Sequence, residues 1–406
     1  MKSERAFPAF VITKKGSAWV SEGHPWVYLE EVLKMEPVEN GSLVDVMSDR
    51  GKYLGTGFFS EKSRIAVRII SRNANESFGD AFWQRRIRYA LDYRKSVMGA
   101  DYDNCRLIFG EADGFPGLTA DRFHDLVVTQ VLSYGMERIK EKLYEQLLQC
   151  LREDGAEIRG LYERNDVRIR GLEGLPEGKG WYYRADDTVQ PLTEITENGI
   201  RYRVDVENGQ KTGFFLDQKY NRQAVMRLSA GKRVLDCFTH TGSFALNAAK
   251  GGAVHVTAVD ISQTAIDMAK ENAEKNGLSD QMDFITADVF DLLPELIQKG
   301  GHPYDFIILD PPAFTKSRKT VQNAEKGYKE INYRAMRLLP RGGYLATASC
   351  SHFMPHALFE KMLRSAAKDA GVELRLIEQR AQGPDHPILW NVPETDYLKF
   401  YLLQIV

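Results

Sequence analysis

Phe306-Ile307-Ile308-Leu309-Asp310-Pro311-Pro312-Ala313-Phe314 decides how this chain is read. Its first four residues form an apolar run of the kind buried on both faces of a parallel sheet. The run ends on a carboxylate, and the two prolines after it donate no backbone N–H and hold their φ fixed. The product is a rigid polar lip at the C-terminal end of a strand. A flat base sliding over that lip meets the Asp310 carboxylate and exposed carbonyls, with the Phe314 ring to pack against.

Around this stretch, from Gly231 onward, strands and helices alternate. Arg233-Val234-Leu235-Asp236, residues 254–259, 283–286, 306–309 and 344–348 read as strands, with helices from Ser243, from Gln263, near Leu292 and from Ala324 to Leu339. Such alternation specifies a doubly wound parallel sheet. The end departs from that pattern. Residues 372–378 and 397–406 are strands joined without a helix, so one of them must run antiparallel.

In a doubly wound sheet, ligands sit beyond the carboxyl ends of the strands at the switch point. Asp236-Cys237-Phe238-Thr239-His240-Thr241-Gly242 occupies that place with one glycine, where a dinucleotide cradle would need G-x-G-x-x-G. A cofactor without phosphates fits better, and S-adenosylmethionine is such a molecule. Its sulfonium favours a nearby carboxylate, and its ribose hydroxyls need an acid at the end of the second strand, where Asp260 stands. Asp288 follows the third strand, in reach of an adenine amino group. Each acid alone reads as a helix cap or solvated turn; at successive strand ends they read as a pocket. No metal is called for.

Cys350, in Ala348-Ser349-Cys350-Ser351, lies just past the fifth strand, the neighbour of the strand that ends in Asp310. Carbon 5 of a pyrimidine is too weak a nucleophile to take a methyl group unaided, and addition of a thiolate at carbon 6 activates it. A carboxylate at Asp310 that binds near N3 and the exocyclic amine makes cytosine a more natural target than uracil. The thiol needs a local positive field or proton acceptor, for which His352, Lys316 and the bound sulfonium are candidates. Cys237 reads as packing within the cofactor turn, and Cys105 and Cys150 have no partner motif.

The chain has 406 residues, 43% hydrophobic and 27% charged, with a formal net charge of −2. That composition builds two or three folded domains and excludes a disordered chain. No C-x-x-C pair points to zinc or to a disulfide framework. No apolar run approaches the roughly 20 residues of a membrane span, and Met1–Phe10 lacks the plan of a signal peptide, so the expected location is cytoplasmic. Charge is uneven: residues 311–341 carry eight Lys/Arg against Glu325 and Glu330, a net +6. The plain reading is a solvated helix face; the functional one makes Lys316, Arg318 and Lys319 a clamp on RNA phosphates.

Residues up to Ser71 alternate short β-rich runs with turn residues, as in a small barrel. Asp80–Met98 switches to helical period, and from Leu107 to about Asp187 strands flank a helix over Glu137–Leu151, a compact α+β segment. Asp217 is placed to N-cap a helix starting at Gln218.

At these residues the chain resembles the large-subunit ribosomal RNA methyltransferase I family, the 23S rRNA cytosine-5 methyltransferases. The resemblance is carried by residues 211–218 (Lys-Thr-Gly-Phe-Phe-Leu-Asp-Gln), 237–242 (Cys-Phe-Thr-His-Thr-Gly), 310–314, 327–332 (Gly-Tyr-Lys-Glu-Ile-Asn), 349–351 and Asp385-His386-Pro387, and it extends over nearly the whole chain. It implies an α/β protein: a Rossmann-like class I S-adenosylmethionine methyltransferase sheet over 191–406, an N-terminal PUA-like β-barrel that binds RNA over 1–71, and a small α+β middle domain over 72–190. It implies homodimers, Cys350 as nucleophile beside Asp310, and a cofactor held by Asp236, Thr239, Gly242, Asp260 and Asp288, to which Phe238 and Gln218 are added. Phe314, Lys316, Arg318 and Lys319 are the candidate RNA contacts. Other RNA cytosine-5 methyltransferases place a second cysteine just after the fourth strand, where this chain has Pro312 and Ala313. Two alternatives stand beside this reading. One is a guanine N-methyltransferase of rRNA that uses Asp-Pro-Pro without a thiol; the other is a non-catalytic RNA-binding assembly factor.

Overall fold

The computed structural model describes residues 7–315 and 320–406, arranged as two units. The first holds Met1–Ile195, Val204–Leu216 and Pro384–Thr395; the second holds Thr196–Arg203, Asp217–Gly383 and Asp396–Val406.

In the first unit a six-stranded sheet has the order Trp26–Tyr28, Ile65–Ser71, Tyr53–Phe59, Leu43–Ser48, Ala9–Ile12, Val32–Met35. Only the ladder between Ala9–Ile12 and Leu43–Ser48 is parallel. Alternate residues Phe10, Ile12, Val44, Val46, Val67 and Ile69 point inward and form one core with Val20 and Val27. Gly57 marks a bulge, and a Cβ there would sit 2.2 Å from the Arg68 carbonyl oxygen, so no other residue fits. Helix Asp80–Met98 follows as expected, and its Trp83 stacks on Phe58 and packs on Phe115. A five-stranded sheet comes next, with helix Tyr134–Glu153 after its third strand. Arg94 of helix Asp80–Met98 is tied down by Asp113 and Arg106 of this sheet by Asp121, and Asp385 accepts from the Arg106 N–H at 2.9 Å.

The second unit is built on seven strands: β1 Arg233–Cys237, β2 His255–Asp260, β3 Met282–Thr286, β4 Phe306–Leu309, β5 Tyr344–Ser349, β6 Leu374–Arg380 and β7 Lys399–Ile405. Their order is β3-β2-β1-β4-β5-β7-β6. β1 to β5 are parallel, and β7 runs antiparallel to both β5 and β6. Order reverses at β1, so the β1 and β4 ends face one crevice. Helices α1 Lys219–Leu228, α2 Ser243–Lys250, α3 Gln263–Lys275, α4 Val289–Lys299, α5 Val321–Leu338 and α6 His356–Ala370 accompany the sheet. Phe306 to Leu309 are almost wholly buried, as a central parallel strand requires.

One local expectation is corrected. The helix after Asp217 begins at Lys219, and Asp217 does not cap it; its carboxylate accepts instead from the Tyr397 hydroxyl at 2.5 Å. Among the described residues, no helix is long and apolar enough to cross a membrane.

Candidate active site

The turn after β1 is held by the Asp236 carboxylate. Its Oδ2 accepts from the Thr239 hydroxyl at 2.6 Å and from the Ala245 N–H at 2.9 Å, while the buried Oδ1 has no partner. Burial pushes this carboxyl up to about 8; Asp310 and Asp260 push the same way, against its two hydrogen bonds. Asp260 and Asp310, at the ends of β2 and β4, therefore both lie close enough to be felt at Asp236.

Phe238 and His240 both sit at positive φ, +66° and +49°. A bulky residue there is an outlier that costs on the order of 1–3 kcal/mol, and such strain collects where a loop must fit a ligand. Gly242, at φ +80°, completes the turn. A Cβ on it would lie 3.0 Å from that of Ala269, so backbone comes close to α3 here. Asp260 locks the arrangement, since its Oδ2 accepts from the His240 N–H and its Oδ1 from the Ser262 N–H, each at 2.9 Å. His240 is held below the usual imidazole range by burial. Asp288 makes the plain contact of a helix N-cap, accepting from the Phe290 N–H at 2.8 Å.

One apolar group escaped the sequence reading. Ile261 directly follows Asp260 and is 70% exposed. The only signal for it was its place after a strand-end acid. The orphaned Asp236 oxygen, the single-glycine turn and the two flanking acids fit S-adenosylmethionine, a cation with two ribose hydroxyls and no phosphate.

At the β4 end, Pro311 is buried and Pro312 exposed, with Asp310 half-buried. Asp310 Oδ1 accepts from the Gln218 amide at 3.0 Å. The Gln218 carbonyl in turn accepts from Asn221 at 2.7 Å, and Asn221 accepts from Arg380 at 3.2 Å. Gln218, read from sequence as a cofactor contact, is buried, and its amide is spent on Asp310 and Asn221.

β4 and β5 pair directly, Leu309 opposite Thr347, which brings the Cys350 loop beside the Asp-Pro-Pro lip. Cys350 is half-buried, whereas Cys105, Cys150 and Cys237 are buried and burial raises all three thiols. On either side of Cys350 the chain is anchored: Ser349 donates to the Tyr328 hydroxyl at 3.0 Å, and Ser351 donates to the Thr315 carbonyl at 2.9 Å. Burial pushes Tyr328 up to about 12, with Cys350 and Asp310 adding to the shift. Phe314 lies half-buried with its ring centroid 4.6 Å from that of Tyr328 and 5.9 Å from that of Phe290. Its place is set by α5, where a Cβ on Gly327 would come within 3.2 Å of the ring. His352 is exposed. Lys316, Arg318 and Lys319 lie outside the described residues.

Comparison with known proteins adds the following. A family profile described as S-adenosylmethionine-dependent methyltransferase matches residues 183–399, and one described as a PUA-like domain matches 10–72. Ribosomal RNA large subunit methyltransferase I of Klebsiella pneumoniae is 39% identical over 407 residues, covering 100% of both chains. The proteins of the same name from Serratia proteamaculans and Aeromonas salmonicida are 40% and 42% identical, covering 94% and 93% of this chain and 96% and 94% of theirs. Among solved structures, a methyltransferase complexed with SAH superposes with a TM-score of 0.84 at 22% identity, covering 98% of this chain and 99% of its own. A SAM-dependent methyltransferase from Streptococcus mutans gives 0.82 at the same identity and coverage.

Proposed function

This chain belongs to the ribosomal RNA large subunit methyltransferase I family of S-adenosylmethionine-dependent methyltransferases, and we propose that it methylates carbon 5 of a cytosine in large-subunit ribosomal RNA. The observation that carries the chemistry is the half-buried Cys350, held by Ser349 and Ser351 beside the β4 end that carries Asp310.

S-adenosylmethionine, when bound, supplies a methyl group activated by a sulfonium. Asp236, Phe238, Thr239, Gly242 and Asp260 would hold it, with Asp288 available to the adenine amino group and the exposed Ile261 offering an apolar face. Gln218 acts through Asp310, fixing that carboxylate so that it receives the N3 edge and the exocyclic amine of the base. The Cys350 thiolate would add to carbon 6 and the carbon 5–carbon 6 π pair move to carbon 5, which would take the methyl group as the methyl–sulfur bond breaks and its electron pair stays on sulfur, leaving the neutral thioether. Loss of the carbon 5 proton to a base or water then returns the pair and expels the Cys350 sulfur. Phe314, Lys316, Arg318 and Lys319 hold the extruded nucleotide and its strand.

The division we favour gives 1–71 to RNA capture, 72–190 to a middle domain and 191–406 to catalysis. Homodimers in the cytoplasm complete the proposal. Cys350→Ala decides the chemistry: cofactor binding should persist within about twofold by calorimetry while methyl transfer to ribosomal RNA is lost. Unchanged turnover would sink carbon-5 chemistry and favour methylation of a ring or exocyclic nitrogen.

A further inference from the structure

A lysine on the first residue of a strand ordinarily reaches for water, because its ammonium is costly to bury. Lys399 does not. It opens β7 directly across from Ser349 of β5 and is only 1% exposed. Its Nζ donates to the Ser351 carbonyl at 2.6 Å and to the Tyr397 carbonyl at 2.7 Å. Among the described residues it forms no ion pair, so two carbonyl dipoles carry the burden of an interior charge. Burial lowers its pKa to about 8, and the groups that act in the opposite sense are Asp396 and Cys350.

We propose that Lys399 is the positioning residue of the nucleophile: its ammonium pins the chain at Ser351, next to Cys350, and supplies the positive field that keeps the Cys350 sulfur as a thiolate. This rests on the reading of Cys350 as nucleophile. Acidic groups act on the same residues as the thiol. Asp310 at the end of β4 acts with Cys350 on Tyr328, and Asp396 before β7 acts with Cys350 on Lys399; as acids both oppose a thiolate beside them, and Tyr328, pushed up to about 12, brings no positive charge. His352, the other candidate among the described residues, is exposed to solvent, where its charge is screened. In the step itself the thiol gives its proton to water and its electron pair forms the bond to carbon 6. Lys399 donates no proton and changes no bond. Its own charge fades above about pH 8, so methyl transfer should rise with thiol ionisation and fall again beyond that pH.

The test is the pH profile of Cys350 alkylation by iodoacetamide in cofactor-free full-length protein, read on the Cys350 peptide by mass spectrometry. Wild type is compared with Lys399→Gln, which keeps N–H donors for the two carbonyls, and Lys399→Arg, which keeps the charge. In wild type the apparent pKa of Cys350 should lie below the ~8.5 of a free thiol. In Lys399→Gln it should rise by about one unit, slowing alkylation at pH 7 about tenfold. Lys399→Arg should stay near wild type and move the alkaline fall in methyl transfer upward, with cofactor affinity unchanged in both. A wild-type value at or above 8.5 overturns the proposal even if no variant folds, and so does a Gln variant with an unshifted profile. Methylation by Cys350→Ala would remove the nucleophile reading while leaving the alkylation result to stand or fall alone.

Discussion

Asp260→Asn puts the cofactor pocket to its hardest test. The carboxylate of Asp260 receives two backbone N–H groups, one on each oxygen, at 2.9 Å. Asparagine keeps one acceptor and turns the other into an NH2 group facing an N–H. One charge-assisted hydrogen bond, worth roughly 1.5–3 kcal/mol, is lost, and two donors are opposed. The bond at risk includes the one that holds His240 at φ +49°, so the turn is released along with it. A ribose hydroxyl that donates to the same carboxylate loses its charged acceptor as well. A further 1.5–3 kcal/mol there corresponds to about a 10- to 150-fold weaker Kd. Calorimetric titration with S-adenosylmethionine and with S-adenosylhomocysteine measures the affinity, and a thermal melt of the ligand-free variant separates loss of fold from loss of contact. A Kd within twofold of wild type, in a variant that melts normally, would show that the acid ending β2 does not hold the cofactor.

Three further outcomes follow from other residues. Asp236 is held up to about 8 in the folded protein and titrates near ~3.9 when unfolded. Its contribution to stability is therefore full below about pH 4 and lost as pH rises through about 8. Measured by urea unfolding, Asp236→Asn should gain on wild type from about pH 5 to 8 and then hold level, and a pH-independent difference would refute the assignment. Arg222 and Glu197 form a bidentate pair at 2.6 and 2.7 Å, each 1% exposed. Arg222→Met should cost about 3–5 kcal/mol by stranding Glu197, and Arg222→Met with Glu197→Leu should recover much of it; equal losses would mean the charge is not stranded. Changing Lys316, Arg318 and Lys319 together to Ala should flatten the salt dependence of RNA binding by about 0.7 in log–log slope per lost phosphate contact, with cofactor affinity unmoved. A slope equal to wild type returns the three to a solvated face.

What the chain announces locally, it announces well. Asp80–Met98 has Gly79 before it and Gly99 after it around a clear helical period, and its bounds are those expected. The strand-end acids were legible because a parallel sheet sends its functional residues to one edge. What escaped depends on partners remote in sequence. Gln218 reaches Asp310 across 92 residues, and Asp217 is taken from its helix by Tyr397, 180 residues on. No window of sequence contains either pair. Nothing local marks Lys399, because its burial arises from the register of β7 against β5. Helix α6 was missed although Pro355 before it and the left-handed Gly371 after it are ordinary start and stop signals.

Asp385 sets an order on synthesis. Its carboxylate receives the Arg106 N–H and its carbonyl receives the Arg94 guanidinium at 2.9 Å, both in the interior of the first unit. Pro384–Thr395 belongs to that unit, yet it leaves the ribosome after nearly all of the second. A nascent chain that has exposed only its first two hundred residues thus holds the buried Arg94 guanidinium and the Arg106 backbone N–H each short of an acceptor. The unit that begins first is completed last, and the methyltransferase sheet has to emerge and take shape around a chain that is not yet closed. Fragments cut at residue 190 should therefore be poor folders. Adding a peptide of residues 384–395 in trans is the natural way to rescue them.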